Sequence, residues 1–337
     1  MRVIITGVAG FIGAHVARVM LQRGWEVTGI DDLSGGVESN LPEGIEFHIG
    51  DCTQDLQAVF DAAEPEAVVH LAAYAAEGLS HHIPVFNYHN NLVGTANILN
   101  AAYRSGAKHF VFTSSIAAYG HPKTDRPLVE DDTCLPCDPY GVAKLACEQH
   151  IRSVFEYYGG PTYTIFRPHN VFGPMQNISD PYRNVVGIFL RRALEGKPLP
   201  VFGDGSQTRS FSYVDSVARC IADACVNPEA KCEIFNAGGD ESWTVLQLAE
   251  AVQSVMQTNS EVQFLPARNE VQHAHANHTK AARVFAEQLS NQISVMDGLR
   301  RTAEYVRQQA IAPPTPCPSP IEIQDRLPPS WKDSLGL

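Results

Sequence analysis

Short runs of apolar residues alternate with stretches of helical periodicity through the first half of the chain. The run at residues 3–5 precedes a helical pattern from about Gly13 to Gln22. The alternation then repeats in "EVTGID" before "DCTQDLQAVFDAA", "AVVHLAA" before "NNLVGTANILNAAYRSG", and "HFVFTSS" before "YGVAKLACEQHIRSVFEYYG". This pattern predicts an α/β fold with a doubly wound parallel sheet, in which ligands bind beyond the carboxyl ends of the strands.

The regular alternation loosens after "YTIFRPHNVFGP", where loops and arginines become frequent. We expect residues 1–168 and 212–240 to form the larger domain, and residues 169–211 and 241–310 to form a smaller α/β substrate-binding lobe. Residues 311–337 are rich in proline, so this C-terminal tail is predicted not to form a regular helix.

Composition and charge indicate which classes of binding partner are disfavoured. The 337 residues are 44% hydrophobic and carry a formal net charge of −12, which argues against nucleic acid or an anionic membrane as the main partner. No run approaches the ~18 apolar residues of a spanning helix, and "MRVIITG" opens directly on a strand pattern. The eight cysteines are scattered, so we expect reduced thiols and a cytoplasmic protein.

A glycine-rich turn in "ITGVAGFIG" joins the first strand to the first helix, with Gly7, Gly10 and Gly13 in GxxGxxG spacing. Glycine permits a tight turn and lets the backbone approach a pyrophosphate at the helix N-terminus. Asp31 ends the second strand 18 residues after Gly13, where an acid hydrogen-bonds an adenosine ribose. The alternative for Asp31 and Asp32 is a solvated turn pair.

The sequence around Asp31 also indicates which dinucleotide, NAD or NADP, is bound. No arginine occurs between Arg23 and Arg104, so nothing near Asp31 in the sequence suits a 2′-phosphate. We therefore predict NAD rather than NADP as the cofactor.

The segment "YGVAK" places Tyr140 and Lys144 four residues apart, so on a helix they share one face. A free tyrosine has a pKa near ~10 and is a poor base at neutral pH. A neighbouring ammonium, with the positive nicotinamide of NAD⁺, would favour the phenolate. Ser115 can hydrogen-bond the same substrate oxygen. We predict Ser115, Tyr140 and Lys144 as catalytic residues; the alternative is a surface pair on the helix.

Two groups of potential metal ligands are weighed against this interpretation. Cys134 and Cys137 form a CxxC with no second pair nearby and without the context of a redox motif. His273, His275 and His278 have ligand-like spacing, but they fall in a strand region of the predicted lobe. We expect no bound metal, and a redox switch at the cysteine pair stays an alternative.

Several motifs, in order, make the chain similar to the extended short-chain dehydrogenase/reductase family, in particular its nucleotide-sugar epimerase/dehydratase members. They include "TGVAGFIG", "DDLSGG", "GDCT", "HLAA", "NNLVGT", "TSSIAAYG", "PYGVAK", "FRPHNVFGP" and "VFGDGSQTRSFSYVD", within residues 1 to about 310. The resemblance implies a Rossmann-type domain holding NAD and a lobe binding a nucleotide sugar. It also implies a homodimer formed through the helices that begin near Asn91 and Tyr140.

The resemblance further implies which residues contact the ligands. By motif position, Asp51 and Cys52 contact the adenine and Asn90 the ribose. The other expected cofactor-binding residues are Gly7, Gly10, Phe11, Ile12, Gly13, Asp31, Asp32, Leu33, Ser34, Gly36, Leu71, Ala72, Ala73, Ser114, Tyr140, Lys144, Pro168 and His169. The expected substrate-binding residues are Ser115, Asn170, Asn184, Val201, Phe202, Arg209, Arg268 and Ala274. Both arginines are assigned to phosphate and ribose oxygens because a planar guanidinium suits them.

The residues after Ser115 select among the reactions of such a family. In members that eliminate water, aspartate and glutamate occupy the positions of Ile116 and Ala117. Decarboxylating members have glutamate at the Ala117 position, and members that epimerise at C3 and C5 have cysteine there. Ile116 and Ala117 cannot transfer protons, so oxidation at C4 and its reversal remain.

The resemblance therefore implies an NAD-dependent 4-epimerase, an isomerase acting on a UDP-hexose or UDP-N-acetylhexosamine. Tyr140 is expected to be the only proton carrier beside the sugar, and Ala274 leaves room for an N-acetyl group. The alternatives are a related 4-reductase, dehydratase or decarboxylase, or a non-catalytic protein that senses a dinucleotide.

Overall fold

The structure, a computed structural model, describes residues 1–123, 126–267, 271–310, 312–328 and 331–332. Its central feature is a seven-stranded sheet in which every neighbouring pair is parallel. The strands are β1 (Arg2–Thr6), β2 (Glu26–Asp31), β3 (Glu46–Ile49), β4 (Ala67–His70), β5 (His109–Thr113), β6 (Thr162–Pro168) and β11 (Glu233–Ala237). Their spatial order is β11–β6–β5–β4–β1–β2–β3. The predicted doubly wound parallel sheet is confirmed.

Helices cover both faces of this sheet. They are α1 (Phe11–Gln22), α2 (Gln57–Ala63), α3 (Glu77–Ser80), α4 (Pro84–Asn87), α5 (Gly94–Arg104), α6 (Pro139–Tyr158) and α8 (Val214–Ala224), with a π-helical turn at Tyr88–Val93 leading into α5. None of the helices in the described part of the chain has the length and apolarity needed to cross a membrane.

Strand alternation explains how β1 supports two separate cores. Its side chains point alternately to the two faces of the sheet. Val3 and Ile5 pack in the core that includes Val16 of α1, whereas Ile4 packs in the opposite core with Ile98 of α5. The chain order reverses between β1 and β4, and a crevice for ligands opens beyond the strand ends at such a reversal.

A smaller α/β lobe stands beyond the carboxyl ends of the strands. It contains β7 (Val171–Phe172) beside β10 (Ser212–Tyr213), β8 (Leu199–Phe202) beside β13 (Val262–Leu265), and β9 (Thr208–Ser210) between β12 (Ser242–Thr244) and β14 (His273–Ala274). Its helices are α7 (Val185–Leu194), α9 (Val245–Met256) and α12 (Val295–Arg307). Phe189, Leu248 and Leu299, one from each helix, are completely buried in the core of the lobe.

Two short helices inside the predicted lobe segment pack on the large domain. They are α10 (Thr279–Val284) and α11 (Ala286–Leu289). Phe285, between them, lies 5.6 Å from Phe166 of β6 and 5.0 Å from Phe235 of β11, measured between ring centroids. The domain boundaries given by the sequence stay a prediction.

Candidate active site

A cavity of about 1130 Å³ lies between the carboxyl edge of the sheet and the smaller lobe. Most residues predicted for the cofactor line it: Gly7, Gly10, Phe11, Ile12, Gly13, Asp31, Asp32, Ser34, Gly36, Asp51, Cys52, Leu71, Ala72, Ala73, Asn90, Ser114 and Pro168. Ser115, Tyr140 and Lys144 line the same cavity, as do Asn170, Asn184, Phe202 and Arg209. The structure therefore brings the predicted cofactor, catalytic and substrate residues to one place.

The glycine turn is packed so closely that side chains would not fit. A Cβ atom on Gly13 would lie 2.1 Å from the carbonyl oxygen of Gly7, and one on Gly7 would lie 2.6 Å from the backbone nitrogen of Ala72. Gly7 also has a φ of +72°, which favours glycine. These contacts hold the turn against the start of α1 and leave backbone facing the cavity, as a dinucleotide pyrophosphate requires.

Asp31 lies at the cavity wall with its carboxylate tied to the glycine turn. It accepts hydrogen bonds from the backbone nitrogens of Ala9 (3.0 Å) and Leu33 (2.8 Å). Burial raises the pKa of Asp31 above its ordinary value, and these hydrogen bonds oppose that rise. The carboxylate thus holds the turn in place and presents an acceptor toward the cavity. Together with the close-packed glycines, this arrangement fits NAD.

The first turn of α6 places Tyr140 beside Ser115. Asp138 caps the helix by accepting a hydrogen bond from the Gly141 nitrogen (2.8 Å), and Pro139 occupies the first helical position. A Cβ atom on Gly141 would lie 2.5 Å from the Ala117 carbonyl oxygen. This glycine therefore lets α6 approach the turn that follows β5.

Tyr140 and Lys144 share one face of α6, and both are almost completely buried. The Lys144 ammonium donates a hydrogen bond to the Thr113 carbonyl oxygen (2.8 Å) and lies 5.7 Å from the centre of the Tyr140 ring. Ser115 accepts a hydrogen bond from the Ala117 nitrogen (3.1 Å) and also hydrogen-bonds the Tyr140 side chain. Phenol, hydroxyl and ammonium therefore meet at the end of β5.

Burial dominates the ionisation of this group. It raises the pKa of the Tyr140 phenol, and the Glu77 carboxylate raises it further, while the Ser115 hydrogen bond and the Arg183 guanidinium lower it. Burial also lowers the pKa of Lys144 to about 8. The lowering of the Tyr140 pKa that we predict requires NAD⁺ beside the phenol, and it stays a prediction.

A buried ion pair supports the strand end from behind. Glu148 of α6 accepts hydrogen bonds from Arg167 Nε (3.0 Å) and Nη2 (2.6 Å), and from the Ser114 hydroxyl. Both charged side chains are at most 4% exposed. The pair joins α6, β6 and the residue before Ser115, so it holds the backbone that leads into the predicted catalytic serine.

On the lobe side, two asparagines face the cavity while holding the backbone around it. Asn184 caps α7 by accepting a hydrogen bond from the Val186 nitrogen (2.9 Å), and it donates to the Val171 carbonyl oxygen (3.0 Å). Asn170 donates to the Ser210 carbonyl oxygen (3.0 Å). The role of both residues in binding substrate stays a prediction.

Three predicted residues do not line the cavity. Val201 is completely buried in the core of the lobe, because alternation along β8 turns Phe202 to the cavity instead. His169 is also completely buried, with its ring centre 4.9 Å from that of His278. Leu33 occupies a turn with a φ of +61°. Arg268 lies outside the described residues, as does the side chain of Ala274.

The cysteine pair and the histidines weighed as metal ligands lie in different surroundings. Cys134 donates a hydrogen bond to the Asp132 carbonyl oxygen, and Cys137 is an exposed free thiol. His278 Nδ1 lies 2.7 Å from the Asp240 carboxylate. Within the described residues, no three histidine, cysteine or acidic side chains are grouped as a metal site.

Among the cavity-lining residues that the sequence did not assign to the site are Tyr74, Glu77, Arg183 and Trp331. Glu77 begins α3, which packs on the first turns of α6, and its carboxylate acts on the Tyr140 phenol. That Tyr140 is the only proton carrier beside the sugar stays a prediction. Arg183 reaches the cofactor side, where its Nη2 lies 3.0 Å from the position of a Cβ on Gly35. It is separated from Asp31 by some 150 residues of sequence, so local composition could not reveal it.

Comparisons with known proteins agree with this geometry. Residues 3–238 match the NAD dependent epimerase/dehydratase family. A UDP-glucose 4-epimerase of Mycolicibacterium smegmatis is 32% identical over 92% of this chain and 100% of its own length. The UDP-glucose 4-epimerase of Thermotoga maritima, solved with UDP-glucose, superposes with a TM-score of 0.85 at 32% identity, over 91% of this chain and 99% of that one.

A third similar protein differs in its sugar. The UDP-N-acetylglucosamine 4-epimerase of Methanobrevibacter ruminantium, in complex with UDP-N-acetylmuramic acid, has a TM-score of 0.83 at 29% identity, over 92% of this chain and 99% of that one. The family match covers well over half of the chain, and it includes the glycine turn, Asp31, Ser115, Tyr140 and Lys144. The chain belongs to the NAD-dependent epimerase/dehydratase family.

Proposed function

We propose that the protein is an NAD-dependent isomerase that inverts C4 of a UDP-sugar, with a UDP-hexose or UDP-N-acetylhexosamine as substrate. One observation carries the proposal. Ser115, Tyr140 and Lys144 meet in the cofactor cavity, while Ile116 and Ala117, which follow Ser115, carry no group that transfers protons and do not line that cavity. The similarity to 4-epimerases supports the same reaction.

Tyr140 accepts the proton of the sugar 4-hydroxyl and later returns it. Ser115 hydrogen-bonds the same oxygen and holds it against the phenol. The Lys144 ammonium, fixed by the Thr113 carbonyl oxygen, favours the phenolate through its positive charge. When bound, NAD supplies the acceptor and then the donor of the C4 hydride.

The remaining residues hold the two ligands. The glycine turn and Asp31 would bind the adenosine and pyrophosphate of NAD. In the lobe, Arg209 and Asn184 would anchor the substrate diphosphate, because guanidinium and amide donors match phosphate oxygens. Phe202 lines the cavity from β8 and would pack on the uracil ring. An anchored diphosphate leaves the sugar free to present either face of C4.

The Glu77 carboxylate favours a second candidate from the same family. An enzyme that also removes a carbon-bound proton needs a base besides Tyr140, and Glu77 lines the same cavity. Such an enzyme would be a dehydratase or an epimerase at C3 or C5.

Incubation with a panel of UDP- and GDP-sugars, followed by ion-pair chromatography and mass spectrometry, tests the proposal. We expect a UDP-sugar to be converted to an isomer of identical mass. A product lighter by water or carbon dioxide would overturn the 4-epimerase assignment. Retention of NAD without conversion of any sugar in the panel would instead indicate a dinucleotide-sensing protein.

The proposal includes a homodimer formed through α5 and α6. Val93, in the turn that leads into α5, and Val142 of α6 are 46% and 39% exposed, although both are apolar. A charge at the centre of such an interface should separate the subunits. We expect Val142→Glu to sediment as a monomer, and Val226→Glu, at another exposed valine, to sediment as the wild type does. A wild-type monomer would contradict the dimer.

We also propose that the protein is located in a reducing compartment. Each of the eight cysteines is a free thiol. Free thiols persist where glutathione and thioredoxin keep them reduced, which supports the predicted cytoplasmic location.

A further inference from the structure

The C-terminal tail folds back along the cavity. We call its described part, residues 312–328 and 331–332, the C-terminal strap. The strap lies outside residues 3–238, the segment of the chain that matches the family.

Specific hydrogen bonds attach the strap to the lobe at one end. The Thr315 nitrogen donates to the Ser179 carbonyl oxygen (2.8 Å), and the Asn177 side chain donates to the Thr315 hydroxyl (3.1 Å). Ala312, Pro313, Pro314, Thr315 and Pro316 line the cavity along this path.

Further along, the strap is attached to the segment between β4 and α5. The Glu322 carboxylate accepts hydrogen bonds from the backbone nitrogens of Val85 (2.8 Å) and Phe86 (3.0 Å), in the first turn of α4. His82 Nδ1 donates to the Ile323 carbonyl oxygen (2.8 Å). The strap thus joins the lobe to the large domain across the cavity.

Trp331 belongs to the strap and lies at the end of the cavity that contains Tyr140, which we call the catalytic end. It lines the cavity wall and is only 7% exposed. Its ring lies edge-on to Tyr182, with centroids 5.2 Å apart, and a Cβ on Gly78 would be 3.2 Å from it. Gly78 and Tyr182 directly adjoin Glu77 and Arg183, the two cavity residues whose charges act on the Tyr140 phenol.

From these contacts we propose that Trp331 is a substrate-binding residue that packs against the sugar of the nucleotide sugar and sets specificity at that end. The proposal rests on the proposed function. An aromatic ring buries apolar surface and so matches the C–H face of a pyranose or an acetamido methyl group. Since the ring packs beside Gly78 and Tyr182, the neighbours of Glu77 and Arg183, it should act on the sugar and not on the nucleotide.

Isothermal titration of the NAD-loaded protein with UDP, UDP-glucose and UDP-N-acetylglucosamine tests this assignment. We expect Trp331→Ala to raise the Kd of the UDP-sugar that the wild-type protein binds best by at least about tenfold. Removal of one buried aromatic contact can produce a loss of this size. The Kd of UDP should stay the same. Truncation after Ala310 should give the same selective loss, and Trp331→Phe an intermediate one. Ile323→Ala, at an exposed strap residue, is the matched control.

The assignment would be overturned if Trp331→Ala raised the Kd of UDP and of the UDP-sugar equally, or if it bound both with wild-type affinity. Retained NAD content and an unchanged melting temperature check that the variants fold. Failure of the proposed function appears differently, as the absence of turnover by the wild-type protein, because the Kd comparison needs no turnover.

Discussion

The Lys144 ammonium donates a 2.8 Å hydrogen bond to the carbonyl oxygen of Thr113, the last residue of β5. It also lies 4.8 Å from the centre of the Phe112 ring. This bond ties α6 to the strand that delivers Ser115, so one cation fixes the spacing between the phenol and the hydroxyl. It also places a positive charge in a buried position, which costs stability.

The first prediction concerns that cost. Burial lowers the pKa of Lys144 in the folded protein to about 8, whereas an unfolded chain has ~10.4. Between these two pH values the unfolded state binds more protons than the folded state. The free-energy cost of burying the Lys144 charge is therefore full below about pH 8 and becomes smaller as the pH rises toward ~10.4. Lys144→Met should therefore raise the free energy of unfolding at pH 7 by up to about 3 kcal/mol.

Urea unfolding of the cofactor-free protein measures this gain, which should shrink as the pH approaches 10. Lys108→Met, at an exposed lysine, should show no such gain. If Lys144→Met raised the free energy of unfolding equally at pH 7 and near pH 10, burial of the charge would not be the cause.

The second prediction removes the phenolic oxygen. Tyr140→Phe should lower kcat by about 100- to 10,000-fold, the range for losing a general base. NAD content and melting temperature should stay close to wild type, because the ring remains packed against Lys144. Tyr103→Phe, at an exposed tyrosine, is the control. Turnover close to wild type in Tyr140→Phe would exclude the phenol as the base.

The third prediction concerns Glu77. Its negative charge raises the pKa of Tyr140, so Glu77→Gln should lower that pKa. In the proposed mechanism the phenolate is the active form, so the acidic limb of the pH profile of kcat should move to lower pH. Glu250→Gln, an exposed carboxylate on α9, should leave the profile in place. A shift to higher pH would contradict the assigned interaction.

The fourth prediction tests the buried ion pair behind Ser114. Arg167→Met leaves Glu148 charged and unpaired in the core, and should cost about 3–5 kcal/mol of unfolding free energy. Combining it with Glu148→Leu removes the stranded charge and should restore much of that loss. Urea unfolding of both variants measures the difference. Additive losses would show that the two side chains do not interact.

The parts of the site that follow from local spacing were predictable from the sequence. Strand–helix alternation predicted the parallel sheet, and the four-residue spacing of Tyr140 and Lys144 predicted their shared helix face. The glycine turn was likewise visible, because Gly7, Gly10 and Gly13 follow one another at a fixed spacing and Gly13 packs on the Gly7 carbonyl oxygen.

The parts that depend on tertiary contacts were not predictable. Glu77 and Trp331 enter the cavity through packing of segments far from Tyr140 in the chain. Val201 was assigned to the substrate because the register of β8 decides which of two neighbours faces the cavity, and the apolar run "LPVF" does not reveal it. His169, predicted to bind the cofactor, does not line the cavity, because it is completely buried beside His278.

Running the wild-type reaction in D₂O tests the central claim, that Tyr140 is the only proton carrier in C4 chemistry, most directly. In that mechanism the solvent exchanges only with hydroxyl protons, so the recovered sugar should carry no deuterium on carbon by NMR and mass spectrometry. Deuterium at C3 or C5 of the product would show that a second base, with Glu77 the first candidate, removes a carbon-bound proton, and would contradict the account.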